Sequence, residues 1–469
     1  MKKTKIVCSI GPSTQNWEAF KGVVDAGMNV ARINFSHATM EERRIDEELI
    51  KRANDELGVH IATLYDTKGP DLRTCTFEGD YIDLVEGNTI RIIESDELGT
   101  SEAISFNYKG ILKDLKPGMS VLLDDGFYKL VVESVDADGG VTCRIANGGT
   151  IKSRRGVCIP GIKLDVPYIS EQDREDIKYA CDHDGDYLAI SFVNSAEDIK
   201  EVRELCAEFG KPNMQIVSKV ETQYAMDNLD SIIDATDVVM IARGDLGIET
   251  GVENLPLYQQ MMITKCREKG KRVIMATQMM TSMKHNIRPT NAEVTDVANA
   301  VLAGCDAIMT SDETTMGEYP VQTVQNMAEI CKKVESYYRY DNKYDFTATE
   351  ETEIIAQSVV NASNQLNSKA IVAATMSGHT AAAISNLRPN APILATVPSE
   401  KVAKAVSLNY GVYPVVVNEY NSTDEVVSDG TAQAKKFFEL VGGDKIVITG
   451  GFPNTGKKTT NFMKIEEIK

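Results

Sequence analysis

Basic residues are scarce in this chain of 469 residues relative to acidic ones. It has 50 Lys and Arg against 69 Asp and Glu, which gives a formal net charge of −19. A surface this acidic argues against binding to nucleic acid or to an anionic membrane. We therefore expect any phosphate-binding site to be a local basic pocket within an acidic protein.

The chain also lacks paired cysteines and long apolar runs. Its 9 cysteines are scattered and never form a CxxC pair, which argues against a disulfide framework or a zinc site and favours a reducing compartment. No apolar run approaches the length of a membrane span. The first residues lead directly into a predicted strand without the apolar core of a signal peptide. We expect a soluble, cytoplasmic protein.

Alternating strand and helix patterns dominate two long parts of the chain. Three strand–helix units precede residue 70, and five further strands with helices between them follow residue 168. The predicted later strands are 187–193, 214–220, 238–243, 272–276 and 307–310. Eight such units are the number that closes a (β/α)8 TIM barrel. The sequence therefore predicts an α/β fold with a catalytic barrel formed by residues 1–69 and 168–340.

Two further domains are predicted from changes in this pattern. Between residues 70 and 167 the helical period disappears, and short alternating runs are separated by glycine-rich turns. This texture predicts an inserted all-β lid domain, a small barrel or sandwich that can hinge. After a polar stretch at 339–353, new strand–helix units indicate a separate open α/β domain over residues 341–469.

Polar residues collect where the predicted barrel strands end. Such a barrel brings these positions to one face, whatever their separation in sequence. A pair of surface salt bridges would explain one strand end, but not the whole set. In chain order its members are Arg32, Asn34, Ser36, Asp66, Thr67, Lys219, Glu221, Arg243, Asp245, Thr277, Ser311, Asp312 and Glu313.

The carboxylates and cations of this set favour metal-assisted chemistry on a phosphate. Glu221 and Asp245 fit as ligands of Mg²⁺ or Mn²⁺. Lys219 is placed to neutralise a transferring phosphoryl group, and arginines such as Arg32 and Arg73 bind phosphate in a bidentate way. The helix that starts near Gly244 can hold an anion at its N-terminus.

A second group of oxygen-bearing residues suits a monovalent cation. Asn34, Ser36, Asp66 and Thr67 offer oxygen ligands with a single negative charge. Ordinary capping of loops and helices explains the same residues equally well from their spacing.

Seven sequence blocks resemble the signatures of the pyruvate kinase family. They occur in the family's order and spacing, and together they are specific where each alone is weak. The resemblance covers essentially the whole chain and corresponds to a bacterial-type member without an extra C-terminal domain. The blocks are ARINFSH (31–37), DTKGPDLR (66–73), VSKVE (217–221), ARGDLGIE (242–249), ATQMMTSM (276–283), RPTNAE (288–293) and SDETTMGEYP (311–320).

This resemblance implies an activity, cofactors and roles for individual residues. The implied reaction transfers the phosphoryl group of phosphoenolpyruvate to ADP, giving pyruvate and ATP, with Mg²⁺ (or Mn²⁺) and K⁺ as cofactors. A homotetramer is also expected from the resemblance. By similarity, the catalytic residues are Lys219, Thr277, Arg32 and Arg73, and the substrate-binding residues are Arg32, Lys219, Gly244, Asp245, Thr277 and Ser311. The nucleotide-binding residues are Pro12, His37, Arg73 and Arg155; Glu221 and Asp245 hold Mg²⁺; and Asn34, Ser36, Asp66 and Thr67 hold K⁺.

Two departures from the family pattern have consequences. Asp71 stands where K⁺-dependent members usually have Glu, so K⁺ dependence is still expected. Asp312 stands where the family has Gly, and its added charge and Cβ beside an anionic substrate are expected to weaken substrate binding.

Two loops in the C-terminal domain resemble phosphate sites. The loop TMSGHT (375–380) is similar to the family's effector-phosphate loop, so Thr375, Ser377, Gly378 and Thr380 are predicted to bind a sugar-phosphate or nucleotide effector. The alternative is a capped helix start with an exposed His379. GFPNTGK (451–457) matches most of a P-loop, but Lys458 replaces the Ser or Thr that would bind Mg²⁺, and a strand follows. We interpret this second match as fortuitous.

Two other functions remain open at this point. A metal-dependent lyase or aldolase acting on pyruvate-like acids would explain Glu221 and Asp245, but not a lid carrying Arg155. A catalytically weakened, effector-binding homologue would explain Asp312 and little else. Dependence on ADP distinguishes the lyase from a pyruvate kinase, and turnover distinguishes the weakened homologue.

Overall fold

A computed structural model of the chain describes residues 1–162, 166–337, 350–451 and 460–469. The predicted linker and the P-loop-like segment lie largely outside these residues. Within these ranges, no helix is long and apolar enough to cross a membrane.

The chain begins with parallel strands buried on both faces. Runs such as KIVCS and VARIN are almost wholly buried, as expected for strands covered by helices on one side and a barrel interior on the other. Helix α2 starts at a capping box, in which Thr39 and Glu42 each accept the other's backbone N–H. This first part consists of β1 (Lys5–Ser9), α1 (Trp17–Ala26), β2 (Val30–Asn34), α2 (Met40–Leu57) and β3 (Ala62–Asp66).

The segment after β3 folds as the predicted all-β insert. Its main sheet has the order β11-β7-β8-β9-β5-β6, and β10 pairs with β4 separately. The insert encloses its own apolar core, in which Ile92, Val121 and Leu130 are fully buried. Its strands are β4 (Tyr81–Leu84), β5 (Thr89–Ile92), β6 (Ala103–Ile104), β7 (Ser120–Leu123), β8 (Tyr128–Val135), β9 (Val141–Asn147), β10 (Gly149–Lys152) and β11 (Val157–Cys158), with short 3₁₀ helices at Glu78–Asp80 and Ile111–Asp114.

Five more parallel strands complete the predicted (β/α)8 barrel. Its closed order is β1-β16-β15-β14-β13-β12-β3-β2, so the first and last strands pair, with Lys5 opposite Ala307. The elements are α3 (Glu171–Asp182), β12 (Tyr187–Ile190), α4 (Ala196–Glu208), β13 (Gln215–Val220), α5 (Gln223–Asp227), α6 (Leu229–Ala235), β14 (Val238–Ala242), α7 (Arg243–Thr250), α8 (Leu255–Glu268), β15 (Arg272–Ala276), α9 (Asn291–Ala303), β16 (Ala307–Thr310), α10 (Asp312–Thr315) and α11 (Pro320–Tyr337), with 3₁₀ helices at Val252–Asn254 and Thr281–Lys284.

The C-terminal part forms the predicted separate α/β domain. Its sheet has the order β19-β18-β17-β20-β21, and only the last strand is antiparallel to its neighbour. The elements are α12 (Glu351–Leu366), β17 (Ala370–Ala374), α13 (His379–Asn386), β18 (Ile393–Val397), α14 (Glu400–Ala405), β19 (Val412–Val416), α15 (Thr423–Phe437), β20 (Lys445–Gly450) and β21 (Phe462–Glu467).

This domain packs against the end of the barrel where the strands begin. Buried Arg388 lies 3.0 Å from the carboxylate of Asp306, the residue before β16. Lys5, at the start of β1, donates a hydrogen bond to the carbonyl of Val412. The opposite end of the barrel, where the strands end, faces the lid.

Candidate active site

Lys219 lies at the centre of the polar cluster at the strand ends. Its Nζ is 3.1 Å from Glu221 Oε1 and 3.4 Å from Asp66 Oδ1. It also donates to Ser191 Oγ at 2.7 Å. The cluster therefore joins residues from β3, β13 and the end of β12, which are far apart in sequence.

The charges within this cluster support one another. Burial alone would lower the pKa of Lys219, but Asp66 and Glu221 outweigh it, and the net pKa lies above its usual value. Burial likewise acts to raise the pKa of Asp66, and Lys219 and Arg32 more than reverse this, so its pKa is lowered. Lys219 is thus held as a cation and Asp66 as an anion at neutral pH.

Arg32 extends the cluster to the first strands of the barrel. Its Nε donates to Asp66 Oδ2 at 2.7 Å, and its Nη1 donates to Ser9 Oγ at 2.7 Å. Only 8% of the residue is exposed. Two buried partners therefore fix the orientation of this guanidinium.

Glu221 and Asp245 face the cleft between the barrel and the lid, and both line a cavity of about 150 Å³. One oxygen of Glu221 accepts the backbone N–H of Phe192 at 2.6 Å. Burial, together with the negative charge of Glu221, raises the pKa of Asp245 to about 7. Two carboxylates that repel each other in a cleft are a donor set that fits a divalent cation.

Glu221 and Asp245 are candidate ligands of a divalent cation. Among the described residues, no group of three or more His, Cys, Asp or Glu side chains is arranged to hold a metal. A cation at Glu221 and Asp245 would therefore need further oxygen ligands of other kinds, such as carbonyl groups or water.

Thr277 follows β15 in an unusual backbone conformation. Its φ is +66° and that of Gln278 is +54°, a region that costs a β-branched residue on the order of 1–3 kcal/mol. The Thr277 hydroxyl accepts the N–H of Gly244 at 3.0 Å. This bond places the hydroxyl beside the first turn of α7, next to Asp245.

Arg243 stabilises this turn through contacts within the barrel. Its guanidinium is buried and donates to the carbonyls of Ala276 and Thr277, and it pairs with Asp296 at 2.7 Å. The positive φ of Thr277 orients this carbonyl group within reach of the arginine. The positive charge of Arg243 is therefore paired with Asp296 within the barrel domain.

The end of the last barrel strand holds three polar residues with different environments. Ser311 donates its N–H to Glu313 Oε2 at 2.8 Å, and Met280 donates to Glu313 Oε1 at 3.1 Å. Asp312 is directed outward, where its carboxylate lies 2.9 Å from Lys284 Nζ. The carboxylate of Asp312 is thus partly neutralised by Lys284 at the surface, and the expected weakening of substrate binding stays a prediction.

The four residues predicted to bind K⁺ lie at the ends of two adjacent strands or just after them. Asn34 and Asp66 are register partners of β2 and β3. Asn34 Oδ1 accepts the N–H of Ser36 at 3.0 Å, and the Thr67 carbonyl accepts the hydroxyl of Ser191 at 2.7 Å. These donors fit a monovalent cation in kind, since all of them are oxygens.

The predicted nucleotide residues lie in the lid and in two loops at the ends of barrel strands. Arg73 pairs with Asp71 at 2.5 Å, and Arg155 lies 3.6 Å from Asp124. Both arginines belong to lid segments that run side by side, since Arg73 forms a β-bridge with Gly156. Pro12 and His37 are exposed in the loops after β1 and β2.

The predicted effector loop is a tight turn before α13. Thr375 Oγ1 accepts the N–H of Gly378 at 3.0 Å, and Gly378 has a φ of +89°. Thr380 shares a hydrogen bond of 2.6 Å with Thr460. Ser377 is exposed to solvent, so its hydroxyl is accessible while those of Thr375 and Thr380 are largely buried.

Ser191 and Phe192 were not identified from the sequence. Strand β12 ends at Ile190, earlier than predicted, because Phe192 has a φ of +54° and turns the chain. This turn allows the Phe192 N–H to bind Glu221 and the Ser191 hydroxyl to contact Lys219. The only signal available was that these residues follow the fourth barrel strand.

Comparison with known proteins agrees with this architecture. The family model described as pyruvate kinase, barrel domain, matches residues 1–324, and the model described as pyruvate kinase, alpha/beta domain, matches residues 353–466. The chain belongs to the pyruvate kinase family. Membership in this family makes the protein a kinase, that is, a phosphotransferase.

Individual relatives are similar over the full length of the chain. A pyruvate kinase of Staphylococcus haemolyticus is 41% identical over 473 residues, covering 100% of this chain and 81% of the relative. One of Clostridium acetobutylicum is 37% identical over 474 residues, covering 100% of both. The crystal structure of a pyruvate kinase from Cryptosporidium parvum matches with a TM-score of 0.94 at 35% identity, covering 99% of this chain and 96% of that one.

Proposed function

We propose that this protein transfers the phosphoryl group of phosphoenolpyruvate to ADP, giving pyruvate and ATP in the last step of glycolysis. The observation that carries this proposal is the buried Lys219 cluster, which places a fixed cation between two carboxylates at the mouth of the barrel. Such a cation stabilises the charge that spreads over the phosphoryl oxygens during transfer.

The neighbouring residues would share the work of binding and proton transfer. In the reaction, the bond between the enol oxygen and phosphorus breaks, a bond from an oxygen of the ADP β-phosphate to phosphorus forms, and the released enolate takes up a proton at its methylene carbon. Arg32 and Lys219 would hold the phosphate, Gly244 and Ser311 would contact the substrate, and Thr277 would belong to the proton path. Arg73, Arg155, Pro12 and His37 would contact the nucleotide.

Cations complete the proposed site. Glu221 and Asp245 would hold Mg²⁺ or Mn²⁺, which supplies Lewis-acid stabilisation of the substrate's charge. Asn34, Ser36, Asp66 and Thr67 would hold K⁺, and the carboxylate of Asp71 is consistent with a dependence on K⁺.

The proposed reaction is tested by measuring pyruvate formation from phosphoenolpyruvate with Mg²⁺, with and without ADP. We expect activity to require ADP and to fall when K⁺ is replaced by Na⁺. Pyruvate formation that does not need ADP would instead favour a lyase. Absence of turnover, even with sugar phosphates or nucleotides added, would favour a weakened homologue, and Asp312→Gly would then be the next variant to assay.

Regulation through the C-terminal domain is a second part of the proposal. Thr375, Ser377, Gly378 and Thr380 would bind the phosphate of a sugar phosphate or a nucleotide, because a turn before a helix with the exposed hydroxyl of Ser377 suits an anion. We expect the double variant Thr375→Ala, Ser377→Ala to lose the shift that such an effector produces in the phosphoenolpyruvate saturation curve.

The matched control for this variant removes two hydroxyls elsewhere in the same domain. Ser358 and Ser428 each donate to a carbonyl of their own helix. The double variant Ser358→Ala, Ser428→Ala should keep the full effector response. An unchanged activation curve in the Thr375, Ser377 variant would exclude this loop as the effector site.

The domain bounds, the localisation and the oligomeric state of the protein are also proposals. The bounds 1–69 with 168–340, 70–167 and 341–469 are supported by the separate sheets and cores of the three parts. A cytoplasmic homotetramer is the assembly that family membership favours.

A further inference from the structure

One carboxylate joins the lid to the barrel helix that carries Asp245. Glu249 lies in α7, four residues beyond Asp245, so the two side chains share a face of the helix. Both residues line the cleft between barrel and lid. Glu249 Oε2 accepts the S–H of Cys158 at 2.9 Å, and Oε1 accepts the N–H of Gly161 at 3.2 Å.

The lid segment that Glu249 contacts is hydrogen-bonded to the segment that carries Arg73, and it also contains Arg155. Cys158 lies in β11, and the N–H of its neighbour Val157 donates to the Leu72 carbonyl at 2.8 Å. The N–H of Arg155 donates to Thr74 Oγ1 at 3.0 Å. These two segments run side by side, so a movement of β11 relative to the barrel carries Arg73 and Arg155 with it.

A second contact between α7 and the lid is apolar. Gly126, in the turn before β8, lies against Ile248, such that a Cβ on this glycine would be 3.5 Å from Ile248 Cγ2. Apolar packing favours contact but is not directional. The two hydrogen bonds of Glu249 have defined donors and therefore fix a position.

We propose that Glu249 is a positioning residue that sets the lid, and with it Arg73 and Arg155, relative to Asp245. The kinetic consequence rests on the proposed function, because it assumes that these arginines contact ADP. The structural consequence, a lid held against α7, does not. Cys158 serves as the donor in this contact, and burial with the adjacent Glu249 raises the pKa of its thiol, so the sulfur keeps its proton.

The inference predicts a selective effect on ADP. In Glu249→Ala, the KM for ADP should rise about tenfold, the scale of one lost charge-assisted hydrogen bond. The KM for phosphoenolpyruvate and kcat should change by less than about twofold, because Arg32 and Lys219 are held within the barrel. Glu249→Gln keeps an acceptor oxygen and should recover part of the loss, and the exposed Glu268→Ala is the matched control.

Two measurements test the lid contact without any turnover. Backbone hydrogen exchange at residues 156–162 and the rate of Cys158 alkylation, followed by peptide mass spectrometry, should both increase in Glu249→Ala and not in Glu268→Ala. Cys158→Ser, which keeps a donor, should exchange like the wild type, whereas Cys158→Ala should exchange faster. If Glu249→Ala fails to fold, Glu249→Gln gives both readouts and Cys158→Ala gives the hydrogen-exchange readout.

Unchanged exchange at residues 156–162 in folded Glu249 variants would overturn the inference. An equal rise in the KM values of both substrates would also count against it, because that pattern indicates general loss of structure. If the wild type shows no ADP-dependent reaction, the proposed function fails, and the exchange and alkylation data still decide whether Glu249 holds the lid.

Discussion

Replacing Lys219 with Met is expected to lower kcat by about 10³-fold or more, the scale seen when a cation that stabilises a transferring phosphoryl group is removed. Met has a similar length but no charge, so the substitution tests the ammonium itself. The KM for phosphoenolpyruvate should change much less, because Arg32 remains held by Asp66 and Ser9. Steady-state kinetics with saturating ADP and Mg²⁺ measures both values.

The same substitution is expected to reduce stability. Asp66 is fully buried and Glu221 nearly so, and removing the lysine leaves them with Arg32 as their nearby cation. Breaking a buried ion pair in this way costs about 3–5 kcal/mol, which thermal unfolding would show. Activity should therefore be measured at a temperature at which circular dichroism shows the variant to be folded.

A surface lysine provides the control for Lys219. Lys265 pairs with Asp230 at 2.7 Å on the outside of the barrel, where an exposed ion pair contributes about 0–1 kcal/mol. Lys265→Met should leave kcat and the folding transition almost unchanged. A folded Lys219→Met enzyme with kcat within about tenfold of the wild type would exclude the proposed role of this cation.

The position of the candidate site residues followed from the sequence because it depends on strand order. Lys219, Glu221 and Asp66 are each placed at the end of an apolar run, and a parallel barrel brings all such ends to one face. Counting eight strand–helix units was therefore enough to predict which side chains meet. The distances between them were not needed for that step.

Backbone turns with positive φ are what the sequence did not reveal. Phe192, Thr277 and Gln278 adopt this conformation without being Gly or Asn, so their residue types give no turn signal. Because of these turns, Glu221 accepts a hydrogen bond from the Phe192 N–H, and the Thr277 carbonyl accepts one from Arg243. The surroundings of Arg243 could not be predicted for the same reason, because its residue type does not indicate that it pairs within the barrel.

The direction of surface side chains also could not be predicted from the sequence pattern. Asp312 follows a barrel strand, as the binding residues do, yet its carboxylate pairs with Lys284. That lysine lies 28 positions earlier, in the 3₁₀ helix after β15. The pairing depends on how the segments after β15 and β16 pack together, and the hydrophobic periodicity of the sequence carries no information about this packing.

Replacing Glu221 with Gln is expected to weaken the binding of Mn²⁺ by about 100-fold. This is the upper end of the effect of changing a residue that only supports a metal ligand, and the loss of a ligand itself should weaken binding at least as much. Gln keeps the size of the side chain and an oxygen that can accept the Phe192 N–H, but it removes the negative charge of Glu221 from the cleft. Because hard divalent cations bind mainly to charged oxygens, the remaining Asp245 should hold the metal poorly. Electron paramagnetic resonance of free Mn²⁺ measures this affinity without turnover.

Activity and a matched glutamate separate this role from a structural one. If Glu221 holds the metal, Glu221→Gln should need a far higher Mg²⁺ concentration for half-maximal activity, and excess Mg²⁺ should restore part of kcat. Glu268→Gln, on the exposed end of α8, should bind Mn²⁺ like the wild type. Wild-type Mn²⁺ affinity in Glu221→Gln, combined with low kcat at every metal concentration, would instead mean that Glu221 acts by positioning Lys219, whose Nζ lies 3.1 Å from it.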